Sequence, residues 1–169
     1  CPILPTKNGG RVMLIDSGAN VDCKPINICH FALLGSTYAK AMFNIEKPRV
    51  ALLNIGTEDK KGNEFCHECF AELKKMPINF VGNMESRDFL SGDYDVVVCD
   101  GFYGNILLKS VEGTALFVMS VLKDNIKSSF KSKLGAMLMK KSLRNVKNTL
   151  NYNAYGGAAF LGAKKLVVK

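Results

Sequence analysis

The sequence predicts a three-layer α/β protein, a mostly parallel sheet with helices on both faces, plus a projecting helical hairpin. Three observations lead there. Short apolar runs ending in Asp, Asn or Gly alternate with longer segments whose apolar residues recur at helical spacing, the pattern of successive βαβ units. Three of those runs are followed by polar, glycine-bearing loops. Beyond residue 105 a single stripe takes over, with Val111, Ala115, Val118, Met119, Leu122, Ile126 and Phe130 on one helical face, longer than a small sheet can cover.

Taken in order, Arg11–Ile15 is a short apolar run closed by Asp16-Ser17-Gly18, a strand and its turn. Pro25 to Phe43 carries Ile28, Phe31, Ala32, Leu34, Ala39 and Met42 at helical intervals, with Pro25 in the first turn. Arg49–Asn54 is a second strand and Asn63–Lys75 a second helix. Ile78–Val81 reads as a strand ended by Gly82-Asn83, and Glu85–Leu90 as one helical turn. Val96–Cys99 is a strand ended by Asp100-Gly101. Residues 106–131 form the long helix, the apolar run Leu134–Met139 a tip, and Leu143, Val146 and Leu150 the face of a returning helix. Tyr155–Gly162 is a glycine-rich turn before a last strand, Leu166–Val168. The expected division is a sheet body over 1–104, a hairpin over 105–151, and a turn with return strand over 152–169.

With 47% hydrophobic and 22% charged residues among 169, the chain has the composition of one globular domain and not of a disordered one. No uninterrupted apolar stretch reaches the roughly 18 residues of a membrane span. Cys1-Pro2-Ile3-Leu4-Pro5 has neither the basic start nor the long apolar centre of a signal peptide. The first residue is not Met and the chain stops within a strand, as expected of a piece of a longer protein.

The net charge of +8 is concentrated. Between Lys123 and Lys147 stand eight cations and one anion, Asp124. Such a block is either a solvated helix face or a surface for an anionic partner: a membrane, an acidic protein or nucleic acid. Nucleic acid is the weakest of these, because no aromatics interleave with the cations.

The six cysteines are irregularly spaced and read as reduced thiols rather than a disulfide scaffold. Cys66-His67-Glu68-Cys69 is a C-x-x-C, but Cys23 and Cys29 make a poor second pair for zinc. No metal is therefore expected, and His30 is read as a packed or surface residue.

The loops carry the chemistry. Residues 16–25, 54–64 and 100–105 each follow a strand and open a helix. In an open parallel sheet that is the ligand edge, and helix N-termini suit phosphate or an oxyanion. Lys24, Lys60 and Lys61 add positive charge; Asn20, Asn63 and Asn105 add neutral hydrogen-bonding groups. Each loop alone is ordinary turn chemistry; three at one edge favour a site. None is a Walker A or G-x-G-x-x-G loop, and no Ser-His-Asp arrangement is visible.

The wording of these loops resembles a known family. DSGANVDCKP, LLNIGTEDKKGNE, FVGNMESRD, VVVCDGFYGN, LLKSVEG and YGGAAFLG, in this order, are similar to the bacterial phosphate acyltransferases of phospholipid synthesis, the PlsX family. The likeness runs from about Thr6 to Lys169, and family chains are longer. It implies an α/β fold like those of phosphotransacetylase and the isocitrate/isopropylmalate dehydrogenases. It implies transfer of a long-chain acyl group from acyl carrier protein to inorganic phosphate, giving acyl phosphate. It also implies a cytoplasmic homodimer peripherally associated with the inner face of the cell membrane, and no metal or nucleotide cofactor.

A phosphate oxygen attacking a thioester creates two anionic centres, the nucleophile and the oxyanion. On that chemistry Lys61 is expected to stabilise phosphate or the oxyanion, and Asn105 to orient a reacting oxygen. Asn20, Lys24, Gly56, Thr57, Lys60, Gly62, Asn63, Gly101 and Gly104 are expected to bind phosphate or shape the pocket. Asp22, Glu58 and Asp59 are expected to orient the lysines. Leu134, Met137, Leu138 and Met139 are expected to touch an anionic membrane, and Val118, Leu122, Ile126 and Phe130 to pair with a second subunit. The alternatives are a phosphotransacetylase-like enzyme using a coenzyme A thioester, and a non-catalytic dimerisation and membrane-docking piece.

Overall fold

The computed structural model describes residues 1–149 and Leu161. Five strands, β1 (Ile3–Pro5), β2 (Arg11–Ile15), β3 (Val50–Asn54), β4 (Phe80–Glu85) and β5 (Val96–Val98), form one mixed sheet in the order β1-β2-β5-β3-β4. Strands β2, β5, β3 and β4 run parallel, and β1 is antiparallel to β2. The helices are α1 (Pro25–Phe43), α2 (Glu64–Leu73), α3 (Gly101–Lys127), α4 (Phe130–Leu138) and α5 (Lys140–Thr149), with a 3-10 turn at Ser86–Asp88. The α/β class, the mostly parallel sheet and the covering helices agree with the sequence. The predicted turn and strand over 152–169 lie outside the described residues, Leu161 excepted.

Alternation along the strands builds two cores. Ile15, Val50, Leu52, Val96 and Val98 face α1 and α2, which bring Ile28, Ala32, Phe70 and Leu73. Leu14, Ala51, Val97 and Cys99 face the other way, against Phe89 from the β4–β5 connection and Leu107 of α3. All three valines of β5 are fully buried, as expected of a strand covered on both faces.

Three differences from the sequence reading have local causes. Strand β1 is missed because it is three residues long, preceded by Pro2 and ending in Pro5; proline is tolerated at a sheet edge, where no ladder N–H is needed. Strand β4 does not stop at Gly82-Asn83 but runs through to Glu85. A register shift opposite Val50/Ala51 takes up the extra residue, with Gly82 at φ +101°, a bulge that glycine permits. Helix α3 starts at Gly101 and not at 106, because the Asp100 side chain accepts the Tyr103 N–H at 2.8 Å and caps it.

Helix α3 also passes a test that the uninterrupted-run criterion misses. By length and composition, with a mean hydropathy of 1.4 over its best 18 residues, it is long and apolar enough to cross a membrane. Its first turns nevertheless belong to the body, where Gly101, Gly104 and Leu107 are buried. Ser129 caps the break after α3. From α4 the chain turns back, and Met119, Leu122 and Ile126 of α3 line an open groove with Leu143 of α5.

Candidate active site

The chain leaves β2 and β3 toward one face of the sheet and β5 toward the other. Since β5 lies between β2 and β3, a crevice is expected on each side of its carboxyl end. Helix α3 starts there, flanked by the β2–α1 loop and the β3–α2 loop. The three loops singled out in the sequence are therefore brought to one edge by strand order.

On the β2 side α3 packs directly on the β2–α1 loop. Asp16, buried at the end of β2, accepts the N–H groups of Ser17, Ala19 and Asn20 and the Asn20 side-chain amide on its two carboxylate oxygens. Gly101 N–H donates to the Asn20 carbonyl at 2.8 Å. A Cβ on Gly104 would lie 1.8 Å from the Asp16 carbonyl oxygen, and one on Gly101 2.8 Å from that of Asn20. Gly101 and Gly104 thus let α3 pack backbone against backbone on this loop, and the Asn20 amide is engaged by Asp16. Asn105 lies alongside, within 4 Å of where a Gly18 Cβ would stand. Lys24 is exposed at the start of α1, where its N–H donates to the Asn27 side chain at 2.8 Å.

On the β3 side Asn54 organises the loop. Its side-chain oxygen accepts Ile55 N–H and its side-chain amide N–H donates to the Lys61 carbonyl at 3.0 Å. Gly62, at φ +98°, leaves no room for a side chain between Asn54 and Cys66. The aliphatic stem of Lys61 lies over Gly56, where a Cβ would come within 2.7 Å of its Cγ. Lys61 itself is exposed, as are Thr57 and Lys60. Asn63 caps α2 by accepting Cys66 N–H at 2.9 Å. Asn83, buried on β4, donates to the Glu58 carbonyl at 2.8 Å, while its own amide oxygen has no hydrogen-bond partner among the described residues.

Between this loop and α3 the crevice stays open as a cleft of about 460 Å³. Leu53, Ile55, Cys66, Tyr103, Ile106 and Leu107 supply most of its wall, with Gly62 and Asn63 at the loop. The site thus has a polar, lysine-bearing loop beside an apolar cleft.

Not every expectation holds in detail. Asp59 pairs with Lys74 at 2.8 Å rather than with Lys60 or Lys61. Of the stripe expected to face a second subunit, Leu122 and Ile126 line the open groove with α5, and Val118 and Phe130 are exposed. Asp16, Asn54 and Asn83 were not anticipated as organisers. Asp16 has a local signal, an acidic residue before small ones at a strand end; Asn83 has none, because it acts across the sheet. Cys69 is buried in the core, its thiol pushed up to about 12 by burial, and burial also raises that of Cys66. Among the described residues no group of three or more His, Cys, Asp or Glu converges as a metal site.

An open, mostly parallel sheet with polar loops at the carboxyl ends of its strands has the layout of α/β proteins that bind ligands there. The chain belongs to the family of fatty acid synthesis proteins, whose family model matches residues 1–169. It is 55% identical over 168 residues to a phosphate acyltransferase of Bacillus cereus (strain B4264), covering 99% of this chain and 51% of that protein. Phosphate acyltransferases of Bacillus thuringiensis (strain Al Hakam) and Bacillus mycoides (strain KBAB4) are 54% identical over the same shares. The chain spans about half the length of the curated relatives it matches.

Proposed function

We propose that the complete protein transfers a long-chain acyl group from acyl carrier protein to inorganic phosphate, giving acyl phosphate for membrane phospholipid synthesis. The observation that carries this reading is the 55% identity to proteins named phosphate acyltransferase, in a chain whose ligand edge sets Lys61 beside an apolar cleft. A phosphate oxygen attacks the thioester carbonyl carbon, the C–O bond forms, and the C–S bond breaks. The thiolate leaves and takes a proton, and the acyl group stays on phosphate.

In this reading the Lys61 ammonium offsets charge on phosphate or on the tetrahedral oxyanion, and Asn105 orients a reacting oxygen. Lys24 and Lys60, with Gly56, Thr57, Gly62 and Asn63, surround the phosphate. Asn20, Gly101 and Gly104 hold the neighbouring loop in place. The fold kinship is with phosphotransacetylase and the isocitrate/isopropylmalate dehydrogenases. The exposed apolar face of α3 that carries Phe117, Val118 and Val121 pairs with a second copy. The α4 region, with Leu134, Met137, Leu138 and Met139 exposed among lysines, touches the anionic inner face of the cell membrane from the cytoplasm. The test is acyl phosphate formation from acyl-[acyl carrier protein] and phosphate by the complete protein. A folded Lys61→Ala variant is expected to lose it, and near-normal turnover by that variant would remove Lys61 from the chemistry.

A further inference from the structure

Resting on that acyl-transfer reading, we propose that the cleft between α3 and the β3–α2 loop holds the hydrocarbon chain of the acyl donor, and that α3 measures its length. The lining favours an uncharged occupant: among the described residues none that lines it is Lys, Arg, Asp or Glu, and Gly62 and Asn63, which surround the phosphate in that reading, stand only at its loop end. Its volume, about 460 Å³, is within the range of small-molecule sites. Ile55, Tyr103 and Ile106 are 80%, 54% and 48% exposed at its rim, apolar surface that an apolar occupant would cover.

The cleft has a direction. Gly62 and Asn63 mark the end beside Lys61, where the thioester belongs, and Ser110 lines it from farther along α3. Tyr103, Ile106 and Ser110 stand at i, i+3 and i+7, one helical face. The same face continues through Gly113 and Thr114 before Phe117. Gly113 has open space where a Cβ would go, so the track beyond Ser110 is unobstructed by its own helix. One lipid chain reaches about half of a ~30 Å hydrocarbon core, roughly 15 Å. At 1.5 Å per residue that is about ten residues of helix, from Tyr103 to Gly113. Ser110, about 10 Å along, is passed by a long chain and not by a short one.

The proposal predicts a change in chain-length preference. In the complete protein, Ser110→Trp should lower kcat/KM for the hexadecanoyl donor relative to the octanoyl donor at least tenfold, and Ser110→Ala should leave that ratio near its original value. An unchanged ratio in the Trp variant, or an equal loss with both donors, would overturn it. A second measurement needs neither a variant nor turnover. Hexadecanoic acid should slow iodoacetamide labelling of Cys66 at least fivefold, read by peptide mass spectrometry. Phosphate should not, and Cys23 serves as the internal reference. Unprotected Cys66 in a protein that makes acyl phosphate would overturn the cleft proposal alone. A protein that protects Cys66 yet makes no acyl phosphate from any donor would count against the reaction instead.

Discussion

The body and the helical arm have similar apolar patterns and opposite fates. In the body, Val12, Leu14, Ile28, Leu73, Val96 and Phe89 are at most 1% exposed. In the arm, Leu116, Phe130 and Leu138 are 73%, 82% and 81% exposed. The periodicity is equally clear in both, so pattern alone does not decide burial. The strands of the body have neighbours on both sides and helices on both faces, and its apolar residues are satisfied within one chain. The arm is a thin layer of helices, and an open groove separates α5 from α3. An apolar face of that extent points to a partner outside the described residues. Even one helix shows both regimes: α3 begins with buried glycines and continues as exposed leucine, phenylalanine and valine.

The sharpest test of this contrast is a pair of glycines on α3. Gly104→Val should be the most damaging change, since its first side-chain atom would meet the Asp16 carbonyl. A loss of stability of about 3 kcal/mol or more is expected, read as the denaturant midpoint, with the site disrupted as well. Lys61→Ala should leave the midpoint nearly unchanged, because the side chain is exposed. It should cost about 2–4 kcal/mol of transition-state stabilisation, as removal of one oxyanion donor does elsewhere, read as kcat/KM.

In the arm, Leu138→Asp with Met139→Asp should release the complete protein from anionic vesicles in flotation and leave its oligomeric state and midpoint intact. Each buried apolar side chain contributes at most about 1.5–3 kcal/mol, and less in a shallow interface. Undiminished flotation would place the anchor elsewhere. The body should also respond to alkali. The Cys69 thiol, raised to about 12 by burial, binds its proton more tightly folded than unfolded. Its contribution is complete below the unfolded thiol value of about 8.5 and is lost as pH rises toward the folded one. The melting temperature should therefore fall above about pH 9, and Cys69→Ala should flatten that fall. The smallest effect is expected for Gly113→Ala: with open space around it, the exchange should stabilise α3 by about 0.5–1 kcal/mol.

Local physics explains what could be read in advance. Helix α1 shows in the sequence because Pro25 and the apolar spacing act within a few residues of chain. Strands β2, β3 and β5 show as apolar runs with polar stops. The three loops at one edge follow from parallel alternation, and the resemblance rested on those loops. Other features depend on residues far apart in sequence. Strand β5 is last in order yet central in the sheet, and that placement creates the two crevices. How tightly α3 packs at each crevice depends on the side chains that meet there. Glycines at 101 and 104 let α3 press onto the Asp16 loop, whereas Tyr103 and Ile106 stand off the β3–α2 loop and leave a cleft. The bulge at Gly82 and the reach of Asn83 to Glu58 are likewise settled by a neighbouring strand and loop. Periodicity records which face of an element is apolar; which element meets that face is set by packing between distant segments, and the open cleft exists only at that level.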